Sequence, residues 1–124
     1  MEAGGFELLA ASLRADARDV DVFFDALATK LGAAFPDSTR VERDGFRGRG
    51  RVKEVSVELG EQRYTIQRAP SGAKATRAKS VRGIVLKNEE LSLDEWIEEL
   101  SHDVAESAER TERGRVALEQ LLHE

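Results

Sequence analysis

Apolar residues recur at helical spacing near the start of the chain. Val20, Phe23, Leu27, Leu31 and Ala34 follow one another at intervals of three or four residues, which places them on one face of an α-helix. The pattern therefore predicts an amphipathic helix that packs this face on a core.

The residues around this helix indicate where it begins and ends. Asp19 or Asp16 can cap its first turn, where a side-chain oxygen accepts hydrogen bonds from unpaired backbone amides. Pro36 ends it, because the residue before a proline is pushed out of the helical region. A shorter apolar pattern upstream predicts a separate helix or an extension of the same one: Phe6, Leu9 and Leu13.

The middle of the chain alternates apolar and polar residues, which is typical of half-buried strands. Gly60 and Glu61 separate two such runs and fit a two-residue hairpin turn. In the resulting register, apolar residues meet on one face and an acid meets a base on the other, and a one-residue slip would invert both faces. The turn predicts these cross-strand pairs: Leu59 with Gln62, Glu58 with Arg63, Val57 with Tyr64, Ser56 with Thr65, and Val55 with Ile66.

The rest of this region is predicted to be extended but is less regular. Thr39–Asp44 is predicted to be an edge strand, and the glycines of Gly45–Arg51 indicate a loop. Pro70-Ser71-Gly72 predicts a second turn. Lys74–Lys87 changes phase along its length, which indicates two short strands or one bulged strand, with a break at Gly83.

A capping box opens the last predicted helical segment. Ser92 is followed three residues later by Glu95, so the two side chains can satisfy each other's backbone amides. Apolar residues then recur at helical spacing as far as Ala108 and resume at Leu118. The polar stretch between them contains Gly114, so the pattern fits one long helix or two helices that break near this glycine.

These elements predict a single α+β domain over residues 1–124. It comprises a helical segment (6–35), a basic region (36–87) and an acidic helical segment (92–122). The basic region forms an antiparallel meander of three to five strands, at about residues 39–87, with the helices packed on one face. This order of elements resembles, in architecture and in no residue motif, small acidic secretion chaperones and other dimeric α+β adaptors.

The end of the last helical segment predicts a partner. A continuous helix over residues 93–122 would be about 45 Å long, whereas a domain of this size has a radius of gyration of about 14 Å. Its apolar end would therefore overhang the domain. We expect self-association or a protein partner to be contacted by four residues: Trp96, Leu118, Leu121 and Leu122.

Composition and charge narrow the class of protein. Hydrophobic residues make up 40% and charged residues 35% of the 124 residues, which is typical of a small, highly charged folded domain. The absence of cysteine excludes disulfides, thiol catalysis and thiolate metal sites. No stretch of 18 apolar residues is present, so we expect no membrane span. The N-terminus lacks the pattern of a signal peptide, so we expect a cytoplasmic location.

Charge is segregated along the chain. Residues 36–87 carry 13 basic and 6 acidic side chains, whereas residues 88–124 carry 3 basic and 12 acidic ones. Two hypotheses explain this segregation. In the first, the basic region faces the acidic helices of its own chain or of a second subunit. In the second, it binds nucleic acid, with Phe46 available for stacking. The candidate nucleic-acid-binding residues are Arg47, Arg49, Arg51, Lys53, Lys74, Arg77, Lys79 and Arg82.

The sequence contains little that indicates catalysis. Ser101 and Asp103 flank His102, but adjacent helical residues point to different faces and cannot form a relay. Glu98, His102 and Glu106 line one helix face, which we interpret as a solvated acidic surface and not as a metal site. Phosphate-binding glycine motifs are absent as well. We therefore expect no catalytic residue, no metal and no cofactor, although an enzyme that uses carboxylates alone stays open.

No residue pattern in the chain establishes a function. The best-supported hypothesis is a non-enzymatic protein-interaction module, an adaptor or chaperone-like subunit that forms a homodimer. The alternative is a nucleic-acid-binding module that uses the basic strands.

Overall fold

The computed structural model describes residues 3–70 and 72–110, which form three helices and one five-stranded sheet. The predicted α+β class, with an antiparallel meander and flanking helices, is confirmed. In chain order the elements are α1 (Ala3–Asp16), α2 (Val20–Ala34), β1 (Thr39–Arg43), a short 3-10 turn (Phe46–Gly48), β2 (Val52–Leu59), β3 (Gln62–Ala69), β4 (Gly72–Val81), β5 (Ile84–Leu91) and α3 (Leu93–Arg110).

The strands follow one another across the sheet in the order β1-β2-β3-β4-β5, and all neighbours are antiparallel. All of the cross-strand pairs predicted around the Gly60-Glu61 turn are confirmed. Gly60 has a φ of 63°, the left-handed conformation that a two-residue hairpin turn requires and that glycine adopts without strain. The edges of the sheet are β1, as predicted, and β5.

The irregular segment from Lys74 to Lys87 contains both features that its changing phase predicted. It forms two strands joined at Arg82 and Gly83, which have φ values of 54° and 83°. It also carries a bulge, because the register shifts by one residue after Lys79. The second strand continues to Leu91 and not only to Lys87, because Leu91 pairs with Ala75 on β4. Backbone pairing with β4 therefore extends β5 through residues 88–91, which do not alternate between apolar and polar side chains.

Local signals set the helix boundaries. The Asp19 carboxylate accepts hydrogen bonds from the amides of Asp21 (3.0 Å) and Val22 (3.3 Å), so α2 is a helix of its own, separate from α1. The capping box of α3 is also confirmed, because the Glu95 amide donates to the Ser92 hydroxyl (3.1 Å) and the Ser92 amide donates to the Glu95 carboxylate (3.3 Å). Whether residues 93–122 form one helix or two helices that break near Gly114 depends on residues beyond 110, which lie outside the described part of the chain.

The core lies between the sheet and the helices. Helix α2 packs across β1 and β2, α3 packs across β4, β2 and β5, and α1 packs on α3 and α2. Buried Phe23, Tyr64 and Trp96 come from one helix, one strand and the other helix, and their rings meet edge to face. Within the described residues, no helix is both long enough and apolar enough to span a bilayer.

Candidate interaction surfaces

Strand β5 exposes three consecutive apolar residues at an edge of the sheet. The exposed fractions are 64% for Ile84, 47% for Val85 and 62% for Leu86. The outer edge of β5 pairs with no other strand within the described ranges. We call this strand, Ile84–Leu91, the β5 edge. Runs of exposed apolar residues are unfavourable in water, and in folded proteins they often mark binding surfaces.

The bulge explains why these residues are not in the core. Lys79 pairs with Lys87 and Ser80 pairs with Val85, so Leu86 is an extra residue with no counterpart of its own on β4. The first five residues of β5 are all exposed, because the helical layer does not cover the start of this strand. The phase change in this segment was predictable from the sequence, but the exposed edge that results from it was not.

Opposite charges follow one another along the β5 edge. Lys87 precedes Glu89, whose carboxylate accepts a hydrogen bond of 2.9 Å from the Arg77 guanidinium. This hydrogen bond lowers the pKa of Glu89. Arg77 also bonds Glu99 of α3 at 3.1 Å, so it joins β4 to β5 and to the acidic helix. Arg77, one of the eight candidate nucleic-acid-binding residues, therefore makes ion pairs within the chain.

Trp96, which the sequence suggested as a partner contact, lies in the core and is 1% exposed. Its indole N–H donates a hydrogen bond of 3.0 Å to the Thr76 carbonyl of β4. The side chain thus fixes α3 on the sheet of its own chain. The other three residues proposed for a partner interface, Leu118, Leu121 and Leu122, lie outside the described residues.

The remaining basic candidates occupy the two ends of the sheet. The β1–β2 loop and the start of β4 are at one end, while the β2–β3 and β4–β5 turns are at the other. Lys79 and Arg82 therefore lie at the second end, where Lys79 is 3.9 Å from Glu61. The other five candidate residues lie at the first end: Arg47, Arg49, Arg51, Lys53 and Lys74.

The β1–β2 loop holds an exposed aromatic ring among these cations. Phe46 is 74% exposed, and the guanidinium carbon of Arg47 lies 5.2 Å from the centre of its ring. Arg47 has a φ of 62°, which is uncommon for a residue with a side chain. We call residues 44–51 the β1–β2 loop.

Backbone hydrogen bonds close this loop at its base. The Asp44 amide donates to the Arg51 carbonyl at 2.8 Å, and the Gly50 amide donates to the Asp44 carbonyl at 2.6 Å. A Cβ atom on Gly50 would lie 2.4 Å from that carbonyl oxygen, so the close approach requires glycine. The loop therefore has a defined shape that holds the ring and the guanidinium groups outward.

The predicted stripe on α3 lies at the surface, because Glu98, His102 and Glu106 are all exposed. Glu98 bonds Arg14 of α1 at 3.3 Å, whereas ligand-type atoms of His102, Asp103 and Glu106 lie within 4.8 Å of one another. Asp103 also accepts a hydrogen bond from the Tyr64 hydroxyl. Asp103 and Glu106 border an open groove of about 560 Å³, whose other walls include Phe35, Leu59 and Glu61.

Comparison of the chain with known protein families, with curated proteins and with solved structures finds no match in any of the three.

Proposed function

We propose that this chain is a non-enzymatic protein-interaction module, an adaptor or chaperone-like subunit, that associates through the β5 edge. The observation that carries this proposal is the exposure of Ile84, Val85 and Leu86 on an edge strand. Edge strands present unpaired backbone donors and acceptors, and adding a strand there is a common mode of protein recognition.

The size of the exposed apolar surface supports the proposal that a partner binds at the β5 edge. Complete burial of a leucine, isoleucine or valine side chain is worth about 1.5–3 kcal/mol relative to an exposed one. The three residues are each about half to two thirds exposed, so a partner strand that flanks them gains part of this free energy. Natural edges usually replace such residues with charges or prolines to prevent association.

The charge order of β5 favours a second copy of the chain as the partner. In an antiparallel pair of β5 strands with Asn88 on the two-fold axis, Lys87 of each copy faces Glu89 of the other, Val85 faces Leu91 and Leu86 faces Glu90. This register keeps the helices of both copies on the same face of a continuous sheet. A shift of the axis to Lys87 or to Glu89 would place like charges opposite each other, which is unfavourable.

A single cysteine tests this arrangement, because the chain has no cysteine of its own. Residues that face each other across antiparallel strands have Cβ atoms about 4.5–5.5 Å apart, close to the separation that a disulfide spans. We expect Asn88→Cys to form a covalent dimer under mild oxidation. The matched control is Thr65→Cys, which lies on the central strand β3 and should stay monomeric under the same conditions.

Measurement of mass in solution gives the second readout. We expect the wild-type chain to have twice its monomer mass, and Lys87→Glu to weaken association at low salt because it faces Glu89. A monomeric mass at every concentration, together with no disulfide from Asn88→Cys, would overturn the proposed self-association at β5.

A further inference from the structure

We propose that the β1–β2 loop is a second binding surface, separate from the β5 edge, which binds single-stranded nucleic acid by stacking a base on Phe46 and pairing phosphates with Arg47 and Arg49. This proposal does not depend on the β5 edge, because the loop joins β1 and β2 at the opposite edge of the sheet.

The exposed aromatic ring is the first observation. Phe46 is 74% exposed at the tip of the loop, the largest exposure among the large hydrophobic residues that the structure describes. A ring without a packing role in the fold is available to stack on a base, and every base offers a flat π-face. The Arg47 guanidinium lies over one face of the ring, with its carbon 5.2 Å from the ring centre, so the opposite face is the one that can stack on a base.

The local charge is the second observation. Residues 43–53 contain five basic side chains and one acidic side chain, Asp44. Arg51 is 3.9 Å from Asp44, while its own side chain is 65% exposed. Glu42 and Glu54 flank this segment, so residues 42–54 carry five basic and three acidic side chains and a net charge of +2.

The net charge of −5 does not cancel this local field. The acidic groove lies at the other end of the sheet, beside the β2–β3 turn and Asp103. Strand β2 has eight residues, so it separates the two ends by about 26 Å at roughly 3.3 Å per residue. At physiological salt this distance is about three times the Debye length of roughly 8 Å, so under that condition the acidic groove is screened from the loop.

The third observation is the fixed backbone conformation of the loop. Arg47 adopts a φ of 62°, which costs energy for a residue with a side chain. The Gly50 amide donates a hydrogen bond to the Asp44 carbonyl, so the loop has its conformation in the absence of a ligand. Preorganised side chains lose less conformational entropy on binding.

A single strand fits this surface better than a duplex. One aromatic ring at the tip of a short loop can stack only on a base that is not already stacked and paired. Contacts to phosphates by Arg47 and Arg49 give binding that is strong at low salt and independent of base sequence. We therefore expect little discrimination between sequences.

The direct test measures binding of a fluorescent 20-nucleotide thymidine strand to the full chain by anisotropy, over a range of salt concentrations. We expect Arg47→Gln/Arg49→Gln to weaken binding about tenfold at low salt. Its salt slope should fall by about 1.4, because each phosphate contact on a single strand contributes about 0.7. The matched control, Lys79→Gln/Arg82→Gln, removes the same charge at the other end of the sheet and should change binding less than twofold.

Phe46→Ala separates stacking from charge. We expect it to weaken binding about tenfold with an unchanged salt slope, because it removes no cation. Circular dichroism and the thermal midpoint confirm that each variant is folded. The absence of binding at low salt would overturn the proposal, as would an equal loss in the Lys79/Arg82 control or an unaffected Phe46→Ala variant.

Two other ligands complete the test. A duplex of the same length should bind more weakly than the single strand, and vesicles of phosphatidylserine should bind more weakly than either. Equal binding of the duplex would overturn the preference for single strands. Tighter binding to the vesicles would overturn the proposal in favour of a membrane surface.

Discussion

The phenol hydroxyl of Tyr64, on β3, donates a hydrogen bond to the carboxylate of Asp103, on α3. The contact joins two residues 39 positions apart and fixes the middle of α3 over the centre of the sheet. Burial raises the pKa of Tyr64 strongly, and the hydrogen bond to Asp103 raises it further. The folded state therefore favours the protonated phenol.

The raised pKa of Tyr64 predicts a loss of stability in alkali. Below about pH 10 the phenol is protonated in both states, so this contribution to the free energy of unfolding is fully present. Above pH 10 the unfolded phenol ionises while the folded one does not. The free energy of unfolding should therefore fall by up to about 1.4 kcal/mol per pH unit.

Tyr64 is the only tyrosine, so the ultraviolet absorbance of tyrosinate reports this residue alone. We expect the native chain to show no tyrosinate signal between pH 10 and 11, and the urea-unfolded chain to titrate near 10. Tyr64→Phe should remove this part of the alkaline loss. A native titration near pH 10 would show that the hydroxyl is not held by Asp103.

Removal of the Trp96 side chain should cost more than any surface change. Trp96→Ala leaves a cavity between Phe23 and Tyr64, and we expect a loss of about 3–5 kcal/mol. Trp96→Phe keeps a ring but loses the bond to the Thr76 carbonyl, so it should cost less. Urea unfolding followed by circular dichroism measures both. A cost below about 1 kcal/mol for Trp96→Ala would contradict its place in the core.

The capping box of α3 predicts a moderate effect of Ser92→Ala. The variant loses the oxygen that accepts from the Glu95 amide, and we expect a cost of about 1 kcal/mol. Ser56→Ala is the matched control. The Ser56 hydroxyl, on the polar face of the sheet, accepts only a long hydrogen bond of 3.4 Å from the Thr65 hydroxyl. Chemical unfolding of both variants should show a clear difference, and equal costs would argue against the cap.

Two glycine-to-alanine changes should act in opposite directions. Gly32 lies in α2 with open space around it, so Gly32→Ala should stabilise the chain by about 0.5–1 kcal/mol. Gly50→Ala places a Cβ atom against the Asp44 carbonyl and must shift the loop. We expect it to lower the thermal midpoint and to weaken nucleotide binding without any change of charge. Unchanged binding would show that the loop shape does not matter.

Several features of the fold were predictable because they depend on residues close in sequence. The Gly60-Glu61 turn sets the register of β2 and β3, since a two-residue loop allows only one antiparallel pairing. The Asp19 cap and the Ser92–Glu95 box act within one helical turn, and both are present. The loop between β1 and β2 was also predictable from its glycines.

The candidate surfaces were less predictable. Arg77 and Lys79 belong to one run of cations in the sequence, yet Arg77 bonds Glu99 of α3 while Lys79 lies at the far end of the sheet near Glu61. Strand direction separates residues that are neighbours in sequence, and it brings Lys74 towards the end that holds the β1–β2 loop. The eight candidate cations therefore divide into five at one end of the sheet, Lys79 and Arg82 at the other end, and Arg77, which makes ion pairs with Glu89 and Glu99.

The sequence by itself determined the helix caps, the central hairpin and the α+β class, because short-range hydrogen bonds and alternation of polarity specify them. Only the tertiary structure decided which apolar residues stay exposed. Ile84 and Leu86 have the same apolar character as the core residue Ile66, but a bulge against β4 and the limited reach of the helical layer leave them at an open edge. The exposure of a residue depends on which distant segments of the chain pack beside it, so its neighbours in sequence do not determine it.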